Sequence, residues 1–199
     1  RMIPTEKSHL HCAALSHPGE TGKNNEDCYF LGSYRLEVNG RPSVLAIVAD
    51  GIGGHHGGET ASRLAVETSE GALRDSTGRE PVAHLRDAVH QAGKAIARMA
   101  EANPDLAGMG STIVLAWILG DRLYGAWVGD SRAYLLRQDG LHQITSDHTW
   151  IQEALDAAVI TPEEVADHPH AHVLLRYLGS RPLAEPDLRL RLAPDDEDL

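Results

Sequence analysis

Basic residues are scarce in this chain: 18 Lys and Arg face 29 Asp and Glu, a formal net charge of -11 over 199 residues. That balance argues against a surface built for nucleic acid or anionic lipid, both of which reward clustered cations. It leaves phosphate chemistry open wherever bound cations supply the positive charge. Long hydrophobic runs are missing as well. Stretches such as Ile113 to Leu119 fall far short of the roughly 20 residues a membrane helix needs, and no secretory signal pattern opens the sequence. Cysteine is limited to Cys12 and Cys28, which is no disulfide framework and points to a reducing cytoplasm. No sequence neighbour marks Cys28 as an activated thiol, so packing is its expected role. Internal repeats and low-complexity linkers are absent too. One domain spanning residues 1–199 is therefore expected, with a hydrophobic content of 42% to supply its core.

What is present alternates in kind along the chain. Short strand-like runs, His9 to Ser16, Cys28 to Leu31 and Val44 to Ala49, open the sequence. The last is continuously apolar, as in a strand covered on both faces. Glu59 to Arg74 carries an apolar stripe at Ala61, Leu64, Ala65 and Ala72 and predicts a helix. A stronger one follows, since Val82, Leu85, Val89, Ala92, Ile96 and Met99 recur at spacings of three and four. Asn103-Pro104 stops it. The period then switches to strands over Ser111 to Leu119, Leu123 to Val128, Ala133 to Leu136 and Leu141 to Thr145, an expected antiparallel meander with tight turns at Gly120-Asp121, Gly129-Asp130 and Asp139-Gly140. Asp147 to Leu178 returns to helix and loop. Within it, Thr161-Pro162-Glu163-Glu164 has the composition of a helix start. Asp187 to Leu192 reads as one more strand. Strands, two helices and more strands imply an α+β arrangement of helices on antiparallel sheet.

Three segments place carboxylates at the ends of expected strands: Asn25-Glu26-Asp27, Asp50-Gly51 and Gly129-Asp130-Ser131-Arg132. Gathering several carboxylates costs electrostatic energy unless cations neutralise them, so their convergence would make a hard-metal site for Mg²⁺ or Mn²⁺. Gly51, lacking Cβ, would let its carbonyl approach an ion, and Gly53 and Gly54 would leave room for water and phosphate. Any single Asp-Gly dipeptide is more often an ordinary turn. It is the set that carries weight.

The ordered series "NNEDCYF", "VADGIGGHHGGETAS", "GMGSTIVLAWI", "YGAWVGDSRAYLL" and "LHQITSDHTW" resembles the metal-dependent protein serine/threonine phosphatases of the PPM family, also called PP2C, in compact bacterial form. The resemblance implies a four-layer αββα sandwich of two antiparallel sheets flanked by helix pairs. It also implies that Asp50 bridges two metal ions, that Gly51 adds its carbonyl, and that Glu26 and Asp27 hold metal-bound waters. Adjacent strand residues point to opposite faces, so both acids serve one site only if the backbone bends there or one acts at longer range; Asp27 is taken as the closer. Asp130 would belong to a weaker third metal site. The implied reaction is hydrolysis of phosphoserine and phosphothreonine in proteins by metal-activated water, in the cytoplasm and opposite a kinase. His55 is the candidate to protonate the leaving oxygen, against the alternative of a polar residue near a helix start. Residues 147–178 match the flap beside the family's site.

Two departures accompany the match. Gly22 stands where most relatives carry a phosphate-binding arginine, leaving adjacent Lys23 as the candidate phosphate ligand. The family's two later aspartates have no counterpart before Leu199, so the fold is expected to be incomplete at its C-terminus. These departures motivate an alternative, a noncatalytic PP2C-like regulatory or protein-binding domain. His168, His170 and His172 are read as loop histidines, Arg132 as a structural partner, and Trp117, Trp127 and Trp150 as packing residues.

Overall fold

A computed structural model describes residues 1–20, 24–53 and 57–192. Strands β1 (Met2–Pro4), β2 (Asp27–Leu36) and β3 (Pro42–Ile52) precede helices α1 (Gly57–Arg74) and α2 (Pro81–Ala102). Then come β4 (Gly110–Ser111), β5 (Ile113–Leu119), β6 (Arg122–Val128), β7 (Tyr134–Arg137), β8 (Gly140–Gln143), α3 (Trp150–Asp156) and β9 (Asp187–Leu192). Seven strands make one antiparallel sheet in the order β1-β2-β3-β5-β6-β9, with β4 paired to the end of β3. Strands β7 and β8 form a separate hairpin.

Strand alternation divides the sheet into two unlike faces. Leu45, Ile47 and Ala49 of β3, Ile113, Leu115 and Trp117 of β5, and Ala126 and Val128 of β6 pack against both long helices. The helices answer with Ala61, Ala65 and Leu73 from α1 and Leu85, Val89, Ala92 and Ile96 from α2, all fully buried. Full burial of each Leu, Ile or Val there contributes about 1.5–3 kcal/mol. Trp117 also satisfies its indole, Nε1 donating to Ser43 Oγ at 2.9 Å. On the opposite face Val114 and Trp127 are covered, while Tyr29 and Val48 stay 46% and 49% exposed. The continuous run Val44 to Ala49 is thus a central strand, fully covered on its helix side, while on the other face Val44 is buried and Val48 is not.

The two predicted helices form and gain a turn or less: α1 starts at Gly57, and α2 starts at Pro81, where proline suits the first helical position. Three expectations are corrected, and a fourth, the helix start at Thr161, forms but stays short. Residues 9–16 form no strand, because among the described residues nothing runs alongside to complete a ladder. Ser111 to Leu119 is split at Thr112, whose N–H turns to Asp50 O at 2.9 Å. The meander breaks after β6, because Gly129 takes a φ of 104° and leads the chain out of the sheet rather than into a hairpin. The segment at Thr161 does start a helix, with Glu164 Oε2 accepting the Thr161 N–H at 2.8 Å, yet only a single 3₁₀ turn, Pro162–Glu164, follows. Among the described residues no helix is long and apolar enough to cross a membrane.

Candidate metal centre

The acidic residues meet where β2 begins and β3 ends. Asp27 and Asp50 are direct cross-strand partners, so both carboxylates lie on the face away from the helices. Like charges placed directly opposite repel. Asp50 registers that crowding: burial first, then Asp27, Asp130 and Glu26, push its pKa from the ordinary 3.8 up to about 6. The four acids share a neighbourhood without closing into a cage, since among the described residues no three His, Cys, Asp or Glu side chains lie close enough to hold an ion. The donor set is oxygen throughout. Such a set fits Mg²⁺ or Mn²⁺, which bind through few carboxylates and keep several waters.

Glu26 reaches this end by a local bend. Asn25 Oδ1 accepts the Asp27 N–H at 3.1 Å, an Asx turn, and the Gly51 N–H donates to Glu26 O at 3.1 Å. The Glu26 carboxyl then rests against the first turn of α1, where the helix dipole favours an anion. A Cβ on Gly58 would stand 2.6 Å from Glu26 Cδ, so only glycine leaves room for it. Gly51 is needed for a related reason. A Cβ there would fall 2.0 Å from Gly58 O, so its missing side chain lets the end of β3 touch the α1 backbone. That packing demand calls for a glycine at 51.

Thr112 fastens Asp50 to the Asp130 turn. Its Oγ1 accepts the Asp50 N–H at 3.0 Å and lies 2.6 Å from Ser131 Oγ, while Ser111 Oγ donates to Asp50 O at 3.0 Å. Arg132 does not pair with Asp130. It forks onto Asp147, with Nε and Nη2 donating at 3.0 and 2.6 Å, and this raises the guanidinium pKa further. Cys28 is half-buried and packs against the core, and burial followed by Glu67 pushes its thiol pKa up, which disfavours the reactive thiolate. His168 stacks on Trp150 with ring centroids 4.5 Å apart, and His170 meets the same ring edge-on at 4.9 Å. Gly22, Lys23, Gly54 and His55 lie outside the described residues. The sequence alone singles out no role for Thr112, Ser111, Gly58, Asp147 or His148. The available signal was two hydroxyls, Ser111-Thr112, set just before an apolar strand.

The fold and this acidic strand end are accompanied by a match to the Protein phosphatase 2C family over residues 19–173, and the chain belongs to that family. It is 39% identical over 184 residues to the serine/threonine protein phosphatase PstP of Mycobacterium tuberculosis, covering 92% of this chain and 34% of that protein. The serine/threonine phosphatase stp of Listeria monocytogenes is 39% identical over 182 residues, covering 89% of this chain and 70% of its own length. This chain therefore spans about a third of the first of these curated relatives. Among solved structures, the Streptococcus agalactiae serine/threonine phosphatase superposes with a TM-score of 0.76 at 31% identity, covering 86% of this chain and 69% of that one. The catalytic domain of PstP in complex with two manganese ions superposes at 0.70 with 36% identity, covering 96% and 72%.

Proposed function

We propose that the protein of which this chain forms part hydrolyses phosphoserine and phosphothreonine in other proteins, with two Mn²⁺ or Mg²⁺ ions and a third held more weakly. The observation that supports this most is the crowding of Asp27, Asp130 and Glu26 around Asp50, in a chain whose relatives are named serine/threonine phosphatases. When bound, such ions lower the pKa of water to make a nucleophile and neutralise charge on a phosphoryl group. In this reading Asp50, the Gly51 carbonyl, Asp27 and Glu26 would hold the two ions, directly or through water, and Asp130 would hold the third. Lys23 attracts the substrate phosphate and His55 returns a proton to the departing Ser or Thr oxygen. Residues 147–178 act as a flap beside the site. The protein works in the cytoplasm, opposite a Ser/Thr kinase.

Hydrolysis of a phosphothreonine peptide with Mn²⁺, compared with Asp50→Asn, tests the reading. The variant should lose on the order of a hundredfold or more in kcat/KM. Full activity in Asp50→Asn would overturn the assignment, and tight peptide binding without turnover in the wild type would favour a noncatalytic protein-binding module.

A further inference from the structure

Behind the Asp130 turn lies a buried histidine that the proposed reaction does not use. The Gly129 N–H donates to His148 Nδ1 at 3.1 Å, and the His148 N–H donates back to Gly129 O at 3.0 Å. One residue thus satisfies both peptide groups of the glycine that precedes Asp130. Gly129 needs such a grip. Its φ of 104° belongs to the left-handed region, and a Cβ there would fall 2.6 Å from Thr112 Cγ2, so glycine is required and brings its conformational freedom with it.

We infer that His148 is a positioning residue for Asp130, fixing the turn that carries this carboxylate into the acidic cluster; the inference rests on the metal-dependent reading above. An acceptor Nδ1 places the neutral ring's proton on Nε2, which faces Asp187 Oδ2 at 3.4 Å in a contact too poorly aligned to be a hydrogen bond. Arg176 Nη1 holds the same carboxylate at 2.8 Å. The ring lies nearly parallel to Trp127, at a centroid distance of 6.4 Å. Burial, then Arg176, holds the imidazole pKa below its usual value, against the opposing pull of Asp187 and Asp147, which keeps Nδ1 an acceptor at neutral pH. A histidine needed only to fill space would not require an acceptor at Nδ1. His148 O also accepts the Leu175 N–H at 2.8 Å, and Thr149 bridges to Leu174, so the grip sits at the root of residues 147–178.

Two substitutions of similar size separate the roles. His148→Asn keeps an acceptor near the Nδ1 position, whereas His148→Gln keeps only a polar group toward Asp187. In the metal-free full chain, amide hydrogen exchange at Gly129 should stay near the wild-type rate in His148→Asn and rise about tenfold in His148→Gln. Calorimetric titration with Mn²⁺ should then show the weakest-bound ion losing about 10–100-fold in affinity in His148→Gln, with His148→Asn close to wild type. Equal behaviour of the two variants, or faster Gly129 exchange with unchanged Mn²⁺ binding, would overturn the inference. A wild type that bound Mn²⁺ yet hydrolysed no phosphopeptide would sink the phosphatase reading and leave this result standing. A wild type that bound no Mn²⁺ would overturn both.

Discussion

Replacing Asp50 by asparagine should make the metal-free protein more stable while abolishing its response to Mn²⁺. The folded-state pKa of Asp50 lies above its unfolded value, so ionising this carboxyl costs the native state more than the unfolded one. The cost is absent below about pH 4, where both states are protonated, and complete above about pH 6. The step from 3.8 to about 6 corresponds to about 3 kcal/mol at ~1.4 kcal/mol per pH unit. The Asp50 carboxyl is only partly withdrawn from water at the strand end, so solvent screening reduces that figure, and about 1 kcal/mol is the expected net effect. For a chain of this size that is a Tm gain of about 2–4 °C. Thermal melts of both proteins in chelator at pH 4, 5, 6 and 7.5 read it directly: the gap should open between pH 4 and 6 and then level off. Adding Mn²⁺ at pH 7.5 should reverse the order, because an ion that binds only the folded wild type raises its stability by mass action. A variant less stable than wild type at pH 7.5 without metal, or a gap independent of pH, would refute the electrostatic reasoning.

Other substitutions probe the supports. Thr112→Val should cost about 1–3 kcal/mol in urea unfolding, because the Asp50 N–H and Ser131 hydroxyl lose a shared partner, and it should weaken Mn²⁺ binding in parallel. Gly58→Ala forces the Glu26 carboxyl from its place; Mn²⁺ affinity measured by calorimetry should fall while a circular dichroism spectrum keeps its helical signal. Arg132→Lys removes the fork onto Asp147 and should lower stability by about 1 kcal/mol in denaturant titration.

Much of this is legible in the sequence. The helices announce themselves by apolar period, and Asp27, Asp50 and Asp130 stand out because each carboxylate sits beside a strand end. Residues 9–16 misled for a physical reason: composition can favour a strand, but a ladder partner decides it. Gly51 stands out in the sequence, but only the fold adds a second demand on it, the Gly58 carbonyl where a side chain would be. His148 lies inside the segment "LHQITSDHTW", yet that segment does not reveal its two bonds to a residue 19 positions away.

The pairing of Asp27 with Asp50 has one more consequence. Their shared position is set by the register of β2 against β3, and strand alternation means that a slip of one residue between them would bring the two acids out of opposition and turn one strand's acid toward the buried side of the sheet. A bound divalent cation would therefore discriminate between correct and slipped hairpins during folding. It would act as a proofreader of strand register, rewarding only those chains whose first long hairpin has closed in the right alignment.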